Sequence, residues 1–184
     1  MPPITTAQFG MLVDQGAFDG QPGQIELING RIVRMNPQGP SHSDPIDELT
    51  QWSFQQAGLK FRIRIEKPIQ IDSLHSTPEP DLAWVTRRRY ADRHPTPADI
   101  SLLIEVSFSS QAFDRGEKLQ LYAQAGIVEY WLVSVPHQTI EVFTSPHGPS
   151  FEKSYVVRVG DSVSPHCLPS ATLPVARLFS NQVD

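Results

Sequence analysis

The sequence predicts an α/β or α+β fold, a mixed β-sheet flanked by helices. Three observations carry that expectation. Alternating or apolar-rich runs outnumber helical ones, helical segments fall between some of those runs, and no apolar run approaches the roughly 20 residues of a membrane helix. With 184 residues and no linker, repeat or low-complexity tract, one domain over residues 1–184 is expected.

Residues Thr5 to Gln15 read as a short helix capped by Thr5 or Thr6. "QIELINGRIVRM" reads as a hairpin, two apolar-rich runs joined by Asn29-Gly30, residues that tolerate the positive φ of a tight turn. "PQGPSHS" reads as loop. "DPIDELTQWSFQQAG" fits a helix with Pro45 in its first turn and Gly58 at its end. In "FRIRIEKPIQID", Phe61, Ile63 and Ile65 alternate with Arg62, Arg64 and Glu66, the mark of a half-buried strand.

"DLAWV" and "SLLIEVS" are strands, joined by a connection with one helical turn. A helix from about Arg115 to Ala125 follows, stopped by Gly126. "VEYWLVSV" and "TIEVFTS" read as paired strands around a "PHQ" turn, and "FEKSYVVRV" adds another.

Composition narrows the function classes. The net charge is −5 at pH 7, whereas strong non-specific DNA binders are usually basic, so a nucleic-acid role must rest on a local patch or a bound metal. Cys167 is the only cysteine, which excludes an intramolecular disulfide and disfavours a cysteine zinc site. The start of the chain lacks a basic segment followed by an apolar one, and together these features favour the cytoplasm. The six histidines show no helical metal-ligand spacing.

Glu105 poses the chemical question, because a carboxylate inside an apolar strand needs a partner. Side chains alternate along a strand, so Asp81, Ala83 and Val85 share one face, as do Leu103, Glu105 and Ser107. Antiparallel pairing with Val85 opposite Ser101 would bring Asp81 opposite Glu105, with Cβ atoms roughly 5 Å apart. Two such acids raise one another's pKa unless a cation lies between them, and Mg²⁺ takes one or two carboxylates while keeping several waters. Each acid alone has an ordinary reading, Asp81 as a solvated or turn-capping residue and Glu105 as the partner of a core-facing Arg or of Lys118.

Asp114 and Glu117 have capping-box spacing, and Lys118, Tyr122 and Ala125 lie on one helical stripe. Lys118 therefore borders the packed face and reaches toward the end of the preceding strand, although an exposed helix lysine is equally ordinary. A cation against two acids is what phosphodiester cleavage needs.

Pro80-Asp81, a spacer, Glu105 and then a lysine resemble the PD-(D/E)XK nuclease superfamily, except that Ser107 stands where the motif has its lysine. In some branches that lysine lies on the following helix, where Lys118 is found. "ELINGRIVRM", "PSHS", "PEPDLAWV", "LLIEVSFSSQAFDRGEKLQLYAQAGIVEYWLV" and "GDSVSPHCLPSATLPVARLF" occur in the order typical of the Uma-two family of restriction endonucleases, a bacterial domain of unknown function. The chain resembles that family over nearly its whole length.

The resemblance implies a restriction-endonuclease-like fold and a Mg²⁺-dependent endonuclease hydrolysing DNA, with Mn²⁺ as a substitute. It implies Asp81 and Glu105 as catalytic metal ligands and Lys118 as the catalytic cation. Glu26 and the Val106 carbonyl would complete the metal shell. It also matches His42 as a substrate contact and Tyr122 as a phosphate contact. Each of these weaker roles has a plain alternative: Glu26 as a solvent-facing hairpin acid, His42 as a turn residue, Tyr122 as core. Arg87, Arg88 and Arg89, with Arg93 and His94, form a basic run that reads as a solvated loop or as a nucleic-acid contact near the metal. A homodimer follows by analogy with restriction enzymes. The competing function is an inactive nuclease-fold module for binding or assembly.

Overall fold

The computed structural model describes residues 2–35, 39–108 and 114–179. Helix α1 (Thr6–Asp14) starts at a capping box in which Thr5 and Gln8 satisfy each other's backbone N–H groups. Strands β1 (Ile25–Ile28) and β2 (Arg31–Arg34) form the expected hairpin. Asn29 and Gly30 turn it with φ of 49° and 72°. A Cβ on Gly30 would collide with Pro3. Gly30→Ala is therefore expected to cost about 1–2 kcal/mol in urea unfolding, and an unchanged midpoint would contradict that role.

A six-stranded mixed sheet follows in the order β3-β4-β5-β6-β7-β8. Its strands are β3 (Phe61–Ile65), β4 (Leu82–Thr86), β5 (Ile100–Ser107), β6 (Glu129–Ser134), β7 (Thr139–His147) and β8 (Ser150–Arg158). All neighbours are antiparallel except β5 and β6. A parallel pair needs a long crossover. Here it holds a π-helical turn over Asp114–Lys118 that runs into helix α3 (Leu119–Gln124). A small ladder of β9 (Ser162–Val163) and β10 (Leu173–Pro174) closes the chain's final turns.

Helix α2 (Pro40–Ala57) begins earlier than the sequence suggests. Gly39 is its N-cap and Pro40 sits at the start, where a missing N–H costs nothing, so "PSHS" is helical rather than loop. Pro45 thus lies inside the helix, where its ring removes only the bond to the carbonyl of exposed Ser41.

The sheet has a core on each face. On one, Trp52 of α2 packs against Trp84 and Trp131 with ring centroids 5.1 and 5.9 Å apart, and each indole N–H finds an oxygen. On the other, Ala83, Val85, Leu103 and Tyr130 meet Ile28 of the hairpin and Leu121 and Tyr122 of α3. Strand parity is therefore as expected: Leu82, Trp84, Leu102 and Ile104 face α2, while their neighbours face α3.

Candidate active site

The β4–β5 register brings the two sequence-predicted acids together. Leu82 pairs with Ile104, Ala83 with Leu103 and Trp84 with Leu102, and one more step in this register sets Asp81 opposite Glu105. The expected Val85–Ser101 pair is replaced by Val85–Ile100, because a bulge follows Trp84. The slip falls beyond the acids and leaves their alignment intact. Asp81 Oδ2 accepts a 2.6 Å hydrogen bond from the Val106 N–H, which locks it to the residue following Glu105. Val106 is thus tied to the cluster through its amide.

Lys118 reaches this point from the π-helical turn. Its Nζ donates to Glu105 Oε1 at 3.0 Å and to Glu26 Oε1 at 3.2 Å. Glu26 belongs to β1 and is fully buried, so the hairpin acid points inward and its solvent-facing alternative is corrected. The side chains of Glu26, Glu105 and Lys118 are each less than 5% exposed, an environment in which unpaired charge is costly. Glu26 Oε1 also accepts the Glu79 N–H at 2.9 Å. Glu26 Oε2, equally buried, has no hydrogen-bond partner among the described residues.

Tyr122 is both core and site. Its ring packs edge-on to Tyr130 at 5.2 Å, and its hydroxyl donates to Glu105 Oε1 at 2.6 Å. Burial, together with the neighbouring Glu105 charge, pushes the phenol well above its ordinary range, so it remains a donor at neutral pH. Tyr122→Phe should cost about 1–2 kcal/mol in denaturant unfolding, because a buried carboxylate loses a donor. A change below a few tenths would show the bond to be dispensable.

His42 stands in the first turns of α2 with Nε2 3.7 Å from Asp81 Oδ2, too far for a hydrogen bond. That nitrogen is buried and lacks a hydrogen-bond partner among the described residues. Glu79, not singled out from the sequence, adjoins the cluster. Burial, reinforced by the Glu26 charge, pushes its carboxyl above the usual range. Its signal was its place directly before Pro80-Asp81.

One expectation changes. Glu117 pairs with Arg31 and accepts from Asn29 at 3.3 Å, tying the π-helical turn to the hairpin; the capping box expected of Asp114 and Glu117 involves the Asp114 side chain, which lies outside the described residues. Arg87 and Arg88 do not sit beside the acids, since all of β4 separates them from Asp81. Arg87 donates to the Gly58 carbonyl at 3.1 Å, and Arg88 lies 3.8 Å from Asp99. Burial acts upward on Asp99, but hydrogen bonds from Arg93 and Thr96 outweigh it and hold the carboxyl at about 2.

A divalent cation such as Mg²⁺ calls for hard oxygen ligands. Among the described residues, no group of three or more His, Cys, Asp or Glu side chains is arranged to hold a metal. Lys118 provides the positive charge between Glu26 and Glu105. The unpartnered, buried Glu26 Oε2 and the aligned Asp81 and Glu105 nonetheless supply hard oxygen ligands, and Mg²⁺ needs only one or two carboxylates. In ligand type the residues fit, and one or two carboxylates suffice where water fills the remaining positions.

A family model described as "Putative restriction endonuclease", Uma2, matches residues 11–176. A crystal structure described as a putative nuclease belonging to DUF820, from Anabaena variabilis, is similar in fold. It has a TM-score of 0.73 and 21% sequence identity, over 96% of this chain and 98% of that one. No curated protein matches.

Proposed function

Because the chain belongs to the Uma2 family, described as "Putative restriction endonuclease", we propose that it is a Mg²⁺-dependent endonuclease that hydrolyses DNA phosphodiester bonds. The observation that carries this reading is the unpartnered buried oxygen of Glu26 beside Lys118, in the same cluster as Asp81 and Glu105.

Two of the carboxylates of Asp81, Glu105 and Glu26, with the Val106 carbonyl, would hold Mg²⁺, or Mn²⁺ in its place, and water would fill the other positions. Such a cation, when bound, lowers the pKa of a water and neutralises charge on the attacked phosphate. The chain's own groups do the rest. The Val106 N–H orients Asp81, and the Tyr122 hydroxyl orients Glu105. The Lys118 ammonium stabilises negative charge developing on the phosphoryl oxygens. The His42 Nε2, 3.7 Å from Asp81 Oδ2, is a further nitrogen that can contact a non-bridging phosphate oxygen.

Supercoiled DNA incubated with the protein and Mg²⁺ should convert to open circles and linear forms, and EDTA should stop the conversion. Intact plasmid with both Mg²⁺ and Mn²⁺ would overturn the proposal. It would favour an inactive module, a reading supported by the burial of Glu26, Glu105 and Lys118.

A further inference from the structure

Seven of the fifteen basic side chains fall in two short segments: Lys60, Arg62 and Arg64 in one, and Arg87 to Arg89 with Arg93 in the other. Asp92 is the only acid within them. The β3–β4 ladder zips the segments together, with Arg62 opposite Val85 and Arg64 opposite Ala83. Paired residues project from the same face, so Arg62 and Arg64 share the face of Ala83 and Val85. By strand parity that is also the face of Asp81 and Glu105. Phe61, Ile63 and Ile65 take the opposite face and pack toward α2.

The cations crowd one ring. The guanidinium carbons of Arg64, Arg88 and Arg93 lie 5.7, 4.6 and 5.9 Å from the centre of Tyr90. Asp99 answers two of them, at 2.7 Å from Arg93 and 3.8 Å from Arg88. Arg62 and Arg87 donate to backbone carbonyls, contacts that fix the side chains without cancelling their charge. Arg62, Arg87, Arg88, Arg89 and Arg93 are all exposed. Asp99 offsets part of this charge, and the cations left over on one strand edge, in a chain of net charge −5, repel one another and suit a polyanion.

Arg64 starts the row one strand away from the acids, across from Ala83. Arg87 follows the end of β4, six residues from Asp81, or roughly 20 Å at about 3.3 Å per residue. That length is about six base pairs of B-DNA.

We infer that this row on the β3–β4 edge is a track that holds the backbone of duplex DNA along one flank of the cleavage point. The inference rests on the nuclease reading for its substrate and adds where, and over what length, that substrate is held.

The test uses the doubly substituted Arg62→Ala, Arg89→Ala protein. Binding to a labelled duplex of about 24 base pairs is followed by fluorescence anisotropy in EDTA across a salt series. The slope of log K against log salt should fall by about two, one unit per lost phosphate contact. With Mg²⁺, KM should rise on that duplex with kcat unchanged. KM should stay parental on a duplex that lacks about six base pairs on that flank.

A parental slope and parental KM in the double variant, while the parent cuts, would overturn the track and leave the nuclease reading standing. A reduced slope in a protein that never cuts would support the track and sink the nuclease reading. If the parent binds polyglutamate but no duplex, the track inference fails.

Discussion

Lys118→Met is expected to lower unfolding stability by about 3–5 kcal/mol at neutral pH, the scale for removing one partner of a buried ion pair. The ammonium bridges Glu26 and Glu105 at 3.2 and 3.0 Å, and all three side chains are buried. Methionine fills similar space but supplies no charge and no donor, so each carboxylate loses a charge-assisted hydrogen bond that water cannot replace. The same variant should not cleave DNA. Mg²⁺ should recover part of the lost stability in the variant, because a divalent cation can take up the charge that the ammonium balanced. Urea unfolding with and without Mg²⁺ measures both effects. A loss below about 1 kcal/mol would mean that solvent screens the pair as it screens surface ion pairs.

Asp81→Asn should do the reverse: large in activity, small in stability. Its Oδ2 accepts the Val106 N–H at 2.6 Å, and an asparagine amide oxygen can accept the same bond. The substitution removes one negative ligand from the proposed cation site. Cleavage should fall at least about a hundredfold, since even groups one step removed from a metal cost ten- to a hundredfold. Stability should stay within about 1 kcal/mol, with the response to Mg²⁺ diminished. Rates on supercoiled DNA and thermal unfolding on the same preparation check the pair of outcomes. A folded variant that cuts at the parental rate would remove Asp81 from the site.

The two variants separate site from scaffold in a way that Glu105→Gln does not. With Asp81 and Glu105 alone in view, neutralising Glu105 should relieve repulsion and cost nothing. In the structure Glu105 is the acceptor for both Lys118 and Tyr122, so its neutralisation also breaks a buried pair. Stability of Glu105→Gln therefore reports on Lys118 as much as on a metal.

Local periodicity made the acid pair legible. Alternation in "DLAWV" and "SLLIEVS" fixes which side chains share a face, and the pairing through Leu82–Ile104 follows from it. Helix spacing likewise carried Lys118 and Tyr122 to one stripe, where both now meet Glu105. Strand direction is not encoded in alternation, so the parallel β5–β6 pair was not visible. The bulge after Trp84 is a backbone choice without a glycine or proline to mark it. Burial of Glu26 depends on how the hairpin docks on the sheet, a tertiary contact that a turn motif cannot report. Adjacency in sequence misplaced the arginine run, because an extended strand carries its two ends far apart.

The most direct test is the rate of plasmid cleavage as a function of Mg²⁺ concentration, measured side by side for the parent, Asp81→Asn and Lys118→Met. A cluster that works as a metal-dependent nuclease centre predicts cleavage that saturates with Mg²⁺ in the parent and stays at background in both variants. Cleavage in either folded variant that follows the parental Mg²⁺ curve would contradict it.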